Sequence, residues 1–123
     1  MCTKELTETI EYNKLVRDNI VQIIAENPKV VGVRSKMVCS KHGMKTLLMD
    51  KLKEECKELI DVFNSDGELS LEELADVLEV IDAIKKVFNI DDFDLDAVKK
   101  EKRLIKGGFD LGIYLKSVTQ YKN

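Results

Sequence analysis

Between residues 70 and 88 the chain places Glu73, Asp76, Val80, Ala83 and Val87 at alternating steps of three and four. That is the spacing of one face of an α-helix, and it predicts a stripe that opens with two carboxylates and continues apolar toward the interior. A second stripe on the same segment, Leu71, Leu74, Leu78, Ile81 and Phe88, predicts a helix covered on two sides, as in a bundle or an oligomer. Ser70 and Glu73 match a capping box at its start. The preceding apolar series, Leu48, Leu52, Leu59 and Phe63, predicts a helix over about 44–63. Glu55 falls at the edge of that buried face and Glu58 on its outer side. The polar run Asn64-Ser65-Asp66-Gly67 reads as the turn of an antiparallel helix pair, bringing the two acidic segments face to face.

The flanks are less regular. Val16, Ile20, Ile23 and Ile24 predict an amphipathic helix capped by Asn13 and stopped at Asn27-Pro28. Residues 29–41 hold four valines without a helical period and read as extended structure or a loop. A last helix is expected over 95–106, with Asp94 as its cap and Gly107-Gly108 as its stop. Beyond it Phe109, Leu111, Ile113 and Leu115 alternate with other residues, the period of a half-buried strand. The expected fold is therefore mainly α, a four-helix bundle with a small β element formed by the C-terminal strand, with 29–41 as its candidate partner. At 123 residues a single domain over 1–123 is expected.

Charged residues make up 35% of the chain with a net charge of −3, so no broad basic field favours nucleic acid as a partner. A small anionic ligand bridged by a metal fits this balance better. Cys2, Cys39 and Cys56 are odd in number, widely spaced and free of any C-x-x-C, which disfavours a disulfide framework or a zinc site. No signal peptide is readable in residues 1–10, and no apolar run approaches the ~20 residues needed to span a bilayer. A soluble, cytoplasmic protein is the expectation.

The chemistry lies in the carboxylates. Glu55 and Glu58, like Glu73 and Asp76, are three residues apart, which puts each pair on one helical face. Ionised carboxylates cost several kcal/mol each to desolvate, so acids inside a helix pair imply cations, whether metal, Lys or Arg. Oxygen-only ligands point to Mg²⁺ or Mn²⁺, and the E-x-x-H pairs of a di-iron bundle are missing. The lone His42 reads as a loop residue before the second helix. A calcium loop ending at Glu73 would need a ligand at Val62, so calcium sensing is disfavoured. On the last helix Lys102 interrupts the apolar series Leu95, Val98, Ile105, a position from which its ammonium can aim at an acidic site and hold phosphate oxygens.

The segments EECKEL from Glu54 and EELADVLEVIDAI from Glu72 resemble the E-E-x-x-E…E-x-x-D signature of MazG-like, all-α nucleoside triphosphate pyrophosphohydrolases. YNKLVRDNI from Tyr12 and KGGFDLGIYL from Lys106 resemble flanking motifs of the phosphoribosyl-ATP-pyrophosphohydrolase-like branch of that superfamily. The resemblance implies Mg²⁺ held by Glu55, Glu58, Glu73 and Asp76, with Glu54 as a further ligand or supporting group. It implies substrate contacts from Lys14, Arg17, Lys102 and Arg103. The expected activity is Mg²⁺-dependent hydrolysis of a nucleotide between its α and β phosphates, with Glu55 nearest the nucleophile and Lys102 stabilising charge. The alternative is a nucleotide-binding or regulatory module with little turnover. A homodimer or higher homo-oligomer is expected from the doubly apolar third helix.

Overall fold

The computed structural model describes residues 6–123 and contains four helices: α1 (Ile20–Ala25), α2 (Lys41–Asp66), α3 (Leu71–Val87) and α4 (Asp92–Lys106). The mainly helical expectation holds. The chain divides into two compact units, Met1–Asn89 and Ile90–Asn123. No described helix is long and apolar enough to cross a membrane. Cys39 and Cys56 are free thiols, and Cys2 lies outside the described residues.

In the first unit α2 and α3 pack against each other. Ser40 caps α2 by accepting the Gly43 N–H at 3.0 Å, which starts the helix three residues before the apolar period becomes visible. Its end also extends past Phe63, to Asp66, where Gly67 closes it in the left-handed region at φ 75° and donates its N–H to the Phe63 carbonyl at 2.7 Å. Ser70 then caps α3, its hydroxyl accepting the Glu73 N–H at 3.2 Å. Leu48, Val77 and Val80 are buried between the two helices together with Glu55. Ala83 and Val87 are half-buried, so the acidic-to-apolar stripe does turn inward. Phe63, expected in the buried face, is 54% exposed at the far end of α2.

The first helix is much shorter than expected. Asn13 is not its cap but sits at φ 47°, and helix begins only at Ile20. Residues 13–19 instead carry Lys14 and Arg17 to acids on two different helices, Glu54 and Asp76, and Asp18-Asn19 is a poor helix-forming pair. The stop at Asn27-Pro28 occurs as expected, with Val30 donating to the Asn27 carbonyl at 2.9 Å across a turn that has Pro28 in its second position.

The expected β element is absent from the described residues: neither 29–41 nor 109–115 forms a strand. A strand needs a paired neighbour, and here the alternation is broken where Gly112 turns at φ 61° and donates to the Phe109 carbonyl. Phe109, Leu111, Ile113 and Leu115 are all exposed. In this second unit α4 starts at Asp92, not at 95, because Asp91 caps it by accepting the Phe93 N–H at 2.8 Å. Gly107, at φ 82°, ends it as the sequence indicates.

A side chain at position 67 would meet no atom within 4 Å, so the cost of substitution there is conformational alone. Gly67→Ala should destabilise the fold by about 1 kcal/mol, with Gly67→Asn losing less because Asn tolerates the left-handed region. Thermal melts followed by helical circular dichroism should show the midpoint falling in the order Gly, Asn, Ala.

Candidate metal centre

α2 delivers Glu54, Glu55 and Glu58 and α3 delivers Glu73 and Asp76 into one place. Two triads share Glu55: Glu54, Glu55 and Glu58 form one, Glu55, Glu73 and Asp76 the other, and within each triad one carboxylate oxygen per residue lies within 4.8 Å of the others. All five acids singled out in the sequence therefore converge. Burial decreases outward, from Glu55 at 7% exposed, through half-buried Glu54, Glu73 and Asp76, to exposed Glu58 at the mouth.

Basic side chains satisfy the rim. Lys14 Nζ donates to Glu54 Oε1 at 2.7 Å and Arg17 Nη2 to Asp76 Oδ1 at 2.7 Å. Lys51, one turn before the first acids, lies 3.0 Å from Glu54 Oε2 and 3.2 Å from Glu55 Oε1. Sequence reasoning passed over Lys51, although its spacing of three and four residues from Glu54 and Glu55 was the available signal. At the centre the pairing stops: Glu55 Oε2 and Glu73 Oε2 are buried without a hydrogen-bond partner. Of the cations open to these acids, Lys and Arg thus account for the rim and leave two inward oxygens that a divalent ion would satisfy.

The electrostatics follow the same division. Burial opposes ionisation of Glu54, but the hydrogen bonds from Lys14 and Lys51 outweigh it and hold its pKa below the usual carboxylate value. Lys14 is raised in turn, chiefly by its bond to Glu54. Glu58 moves the other way, raised first by desolvation, then by the hydrogen bond its protonated form makes to Glu55 and by the charges of Glu55, Glu54 and Glu73. Crowded carboxylates that disfavour one another's ionisation are the surroundings in which a hard cation binds.

The remaining sequence candidates, Lys102 and Arg103, lie on α4 in the second unit, where both are exposed and Arg103 pairs with Asp110 at 3.1 Å. His42 is an exposed residue in the first turn of α2 and belongs to neither triad. Comparison with family models, with curated proteins and with solved structures finds no match.

Two substitutions separate the roles of these groups. Lys51→Met strips Glu54 and Glu55 of a half-buried partner and should cost about 2 kcal/mol without metal. Added Mg²⁺ should recover more of the melting temperature in this variant than in the parent chain. Glu58→Gln should do the reverse. A carboxyl whose pKa is raised by folding favours the fold below its unfolded value of 4.5 and loses that contribution as pH rises through the folded pKa. The Gln variant should therefore melt higher than the parent at pH 7 without metal, converge with it below pH 4.5, and gain less from Mg²⁺.

Proposed function

We propose that this protein is a Mg²⁺-dependent nucleotide pyrophosphohydrolase that cleaves a nucleoside triphosphate, or a related nucleotide, to the monophosphate and pyrophosphate. The observation that carries this reading is the pair of buried, unpartnered oxygens, Glu55 Oε2 and Glu73 Oε2, at the meeting point of two carboxylate triads. The resemblance of the two acidic segments to MazG-like pyrophosphohydrolases supplies the reaction class.

The donor set is made only of carboxylate oxygens, which suits Mg²⁺, with Mn²⁺ as the alternative. Glu55, Glu73 and Asp76 would hold the ion on the inner side and Glu54 and Glu58 on the outer. When bound, Mg²⁺ neutralises phosphate charge and lowers the pKa of a coordinated water. Water attack on the α-phosphorus forms the new P–O bond, and the bond to the bridging oxygen breaks with its electron pair leaving on pyrophosphate. The water's proton passes to a carboxylate, for which Glu55, shared by both triads, is the proposed acceptor.

Lys14 and Arg17 hold rim carboxylates at 2.7 Å. With those carboxylates holding an ion, the same two cations would be available to phosphate oxygens. Lys51 keeps Glu55 Oε1 occupied and so leaves Oε2 turned to the centre. For Lys102 and Arg103, proposed to contact the leaving pyrophosphate, the support is the resemblance alone. The proposed setting is intracellular nucleotide turnover.

The test is to incubate the purified chain with Mg²⁺ and a panel of nucleoside triphosphates and to quantify pyrophosphate and orthophosphate separately. Pyrophosphate and monophosphate should appear one to one. Glu55→Gln and Glu73→Gln should each lower the rate at least ~100-fold with helicity unchanged. Nucleotide binding without pyrophosphate release, or unaltered rates in both variants, would refute the assignment.

A further inference from the structure

Residues 13–19 form a non-helical strap that joins the two acidic helices. Lys14 Nζ reaches Glu54 Oε1 on α2 and Arg17 Nη2 reaches Asp76 Oδ1 on α3, both at 2.7 Å. The same short stretch of chain therefore holds one acid of each triad, Glu54 of the outer and Asp76 of the inner. Its ends are fixed. Asn13 turns in the left-handed region at φ 47°, and where α1 begins Ile20 donates its N–H to the Arg17 carbonyl at 3.1 Å. Between these points Leu15 and Val16 are half-buried, and Leu15 lines a small cavity with Leu47, Lys51 and Glu54.

The strap and a divalent ion at this centre draw on the same oxygens. Glu54 has none to spare, since Lys14 holds Oε1 and Lys51 holds Oε2. Two cations and a divalent ion on one carboxylate repel one another, so one ammonium has to withdraw. Lys51 is the firmer of the two: it is also tied to Glu55 at 3.2 Å and its side chain is only 14% exposed. Lys14 is 39% exposed and, among the described residues, pairs with Glu54 alone. Its ammonium already lies over the Tyr12 ring, 5.9 Å from the centroid, an aromatic face that can keep the cation once the carboxylate is given up. Arg17 is 54% exposed and holds Asp76 through one nitrogen, without the bidentate fork that makes an Arg–carboxylate pair strong.

We propose that the strap is an internal competitor of the metal, Lys14 and Arg17 occupying the rim carboxylates and releasing them as the centre is loaded. The inference rests on the metal-binding part of the function proposed above and adds a sign to it. A strap that only oriented Glu54 and Asp76 would help loading, and its removal would weaken the centre. A strap that occupies the ligand oxygens opposes loading, and its removal tightens the centre. Release of the strap and loading are then one linked equilibrium, in which the apparent affinity for the ion is lowered by the fraction of chains with the strap closed.

The test is calorimetry of the full chain with Mg²⁺ alone, alongside the rate of Lys14 acetylation read by mass spectrometry. Lys14→Met and Arg17→Met should each bind Mg²⁺ about threefold more tightly than the parent, and the double variant about tenfold. In the parent, saturating Mg²⁺ should speed acetylation of Lys14 about threefold or more, while Lys57, paired with Asp61 elsewhere on α2, keeps its rate. Should a variant lose its helicity, the acetylation of the parent still decides. Unchanged or weaker Mg²⁺ binding in folded variants, or a Lys14 rate that Mg²⁺ does not alter, would overturn the proposal and leave the pyrophosphohydrolase reading intact. A parent chain that binds no Mg²⁺ at all would overturn both.

Discussion

Packing of α2 on α3 forces a carboxylate into the interior, and most of the structure can be understood as a response to that. Glu55 lies in the same buried layer as Leu48, Val77 and Val80, so the contacts that hold the hairpin together also strip Glu55 of water. Desolvating an ionised carboxylate costs several kcal/mol, which is a large fraction of a small domain's whole stability. One Lys51 ammonium shared between Glu54 and Glu55 offsets part of it. Burial that is uneconomical for the fold alone is explained if the interior oxygens exist to hold a divalent ion.

The hairpin is two-sided as a consequence. Its acidic flank recruits the irregular segment 13–19, whose Lys14 and Arg17 bind acids on different helices. A regular helix through those residues would hold the two cations one turn apart on a single face, whereas Glu54 and Asp76 belong to separate helices. Ion pairing thus accounts for the late start of α1. The opposite flank has no such demand and remains apolar, so α3 bears two stripes of different purpose: one facing α2 and the acids, the other facing outward.

How far the sequence could be read depended on how local the deciding interaction is. The α2/α3 hairpin and the convergence of Glu54, Glu55, Glu58, Glu73 and Asp76 follow from three-and-four spacing plus a short turn, both local. The caps at Ser70 and Gly107 were also legible, since their hydrogen bonds reach only three or four residues away. Ser40 escaped notice because Gly43, which it caps, looks like a break and not like a helix. Local pattern failed where a distant partner decides. Residues 13–19 are shaped by acids 40 and 59 positions away. The alternating residues from Phe109 to Leu115 show a strand's period without a neighbouring strand to pair with.

Spacing alone also could not separate a metal site from a network of salt bridges, since both place acids on one face and cations nearby. The distinction lies in the two oxygens of individual carboxylates. Glu54 has both oxygens engaged, by Lys14 and Lys51, and behaves as a salt-bridged group held ionised. Glu55 has one oxygen engaged and one buried without a partner, and Glu73 likewise leaves Oε2 unpaired. A purely structural network gains nothing from inward oxygens without donors, because each unpaired buried acceptor costs about 1–3 kcal/mol or more when charged. Neither His42 nor Cys56 joins the triads, so the donor set around the unpaired oxygens is all carboxylate, a chemistry that suits a hard cation better than a zinc-like one.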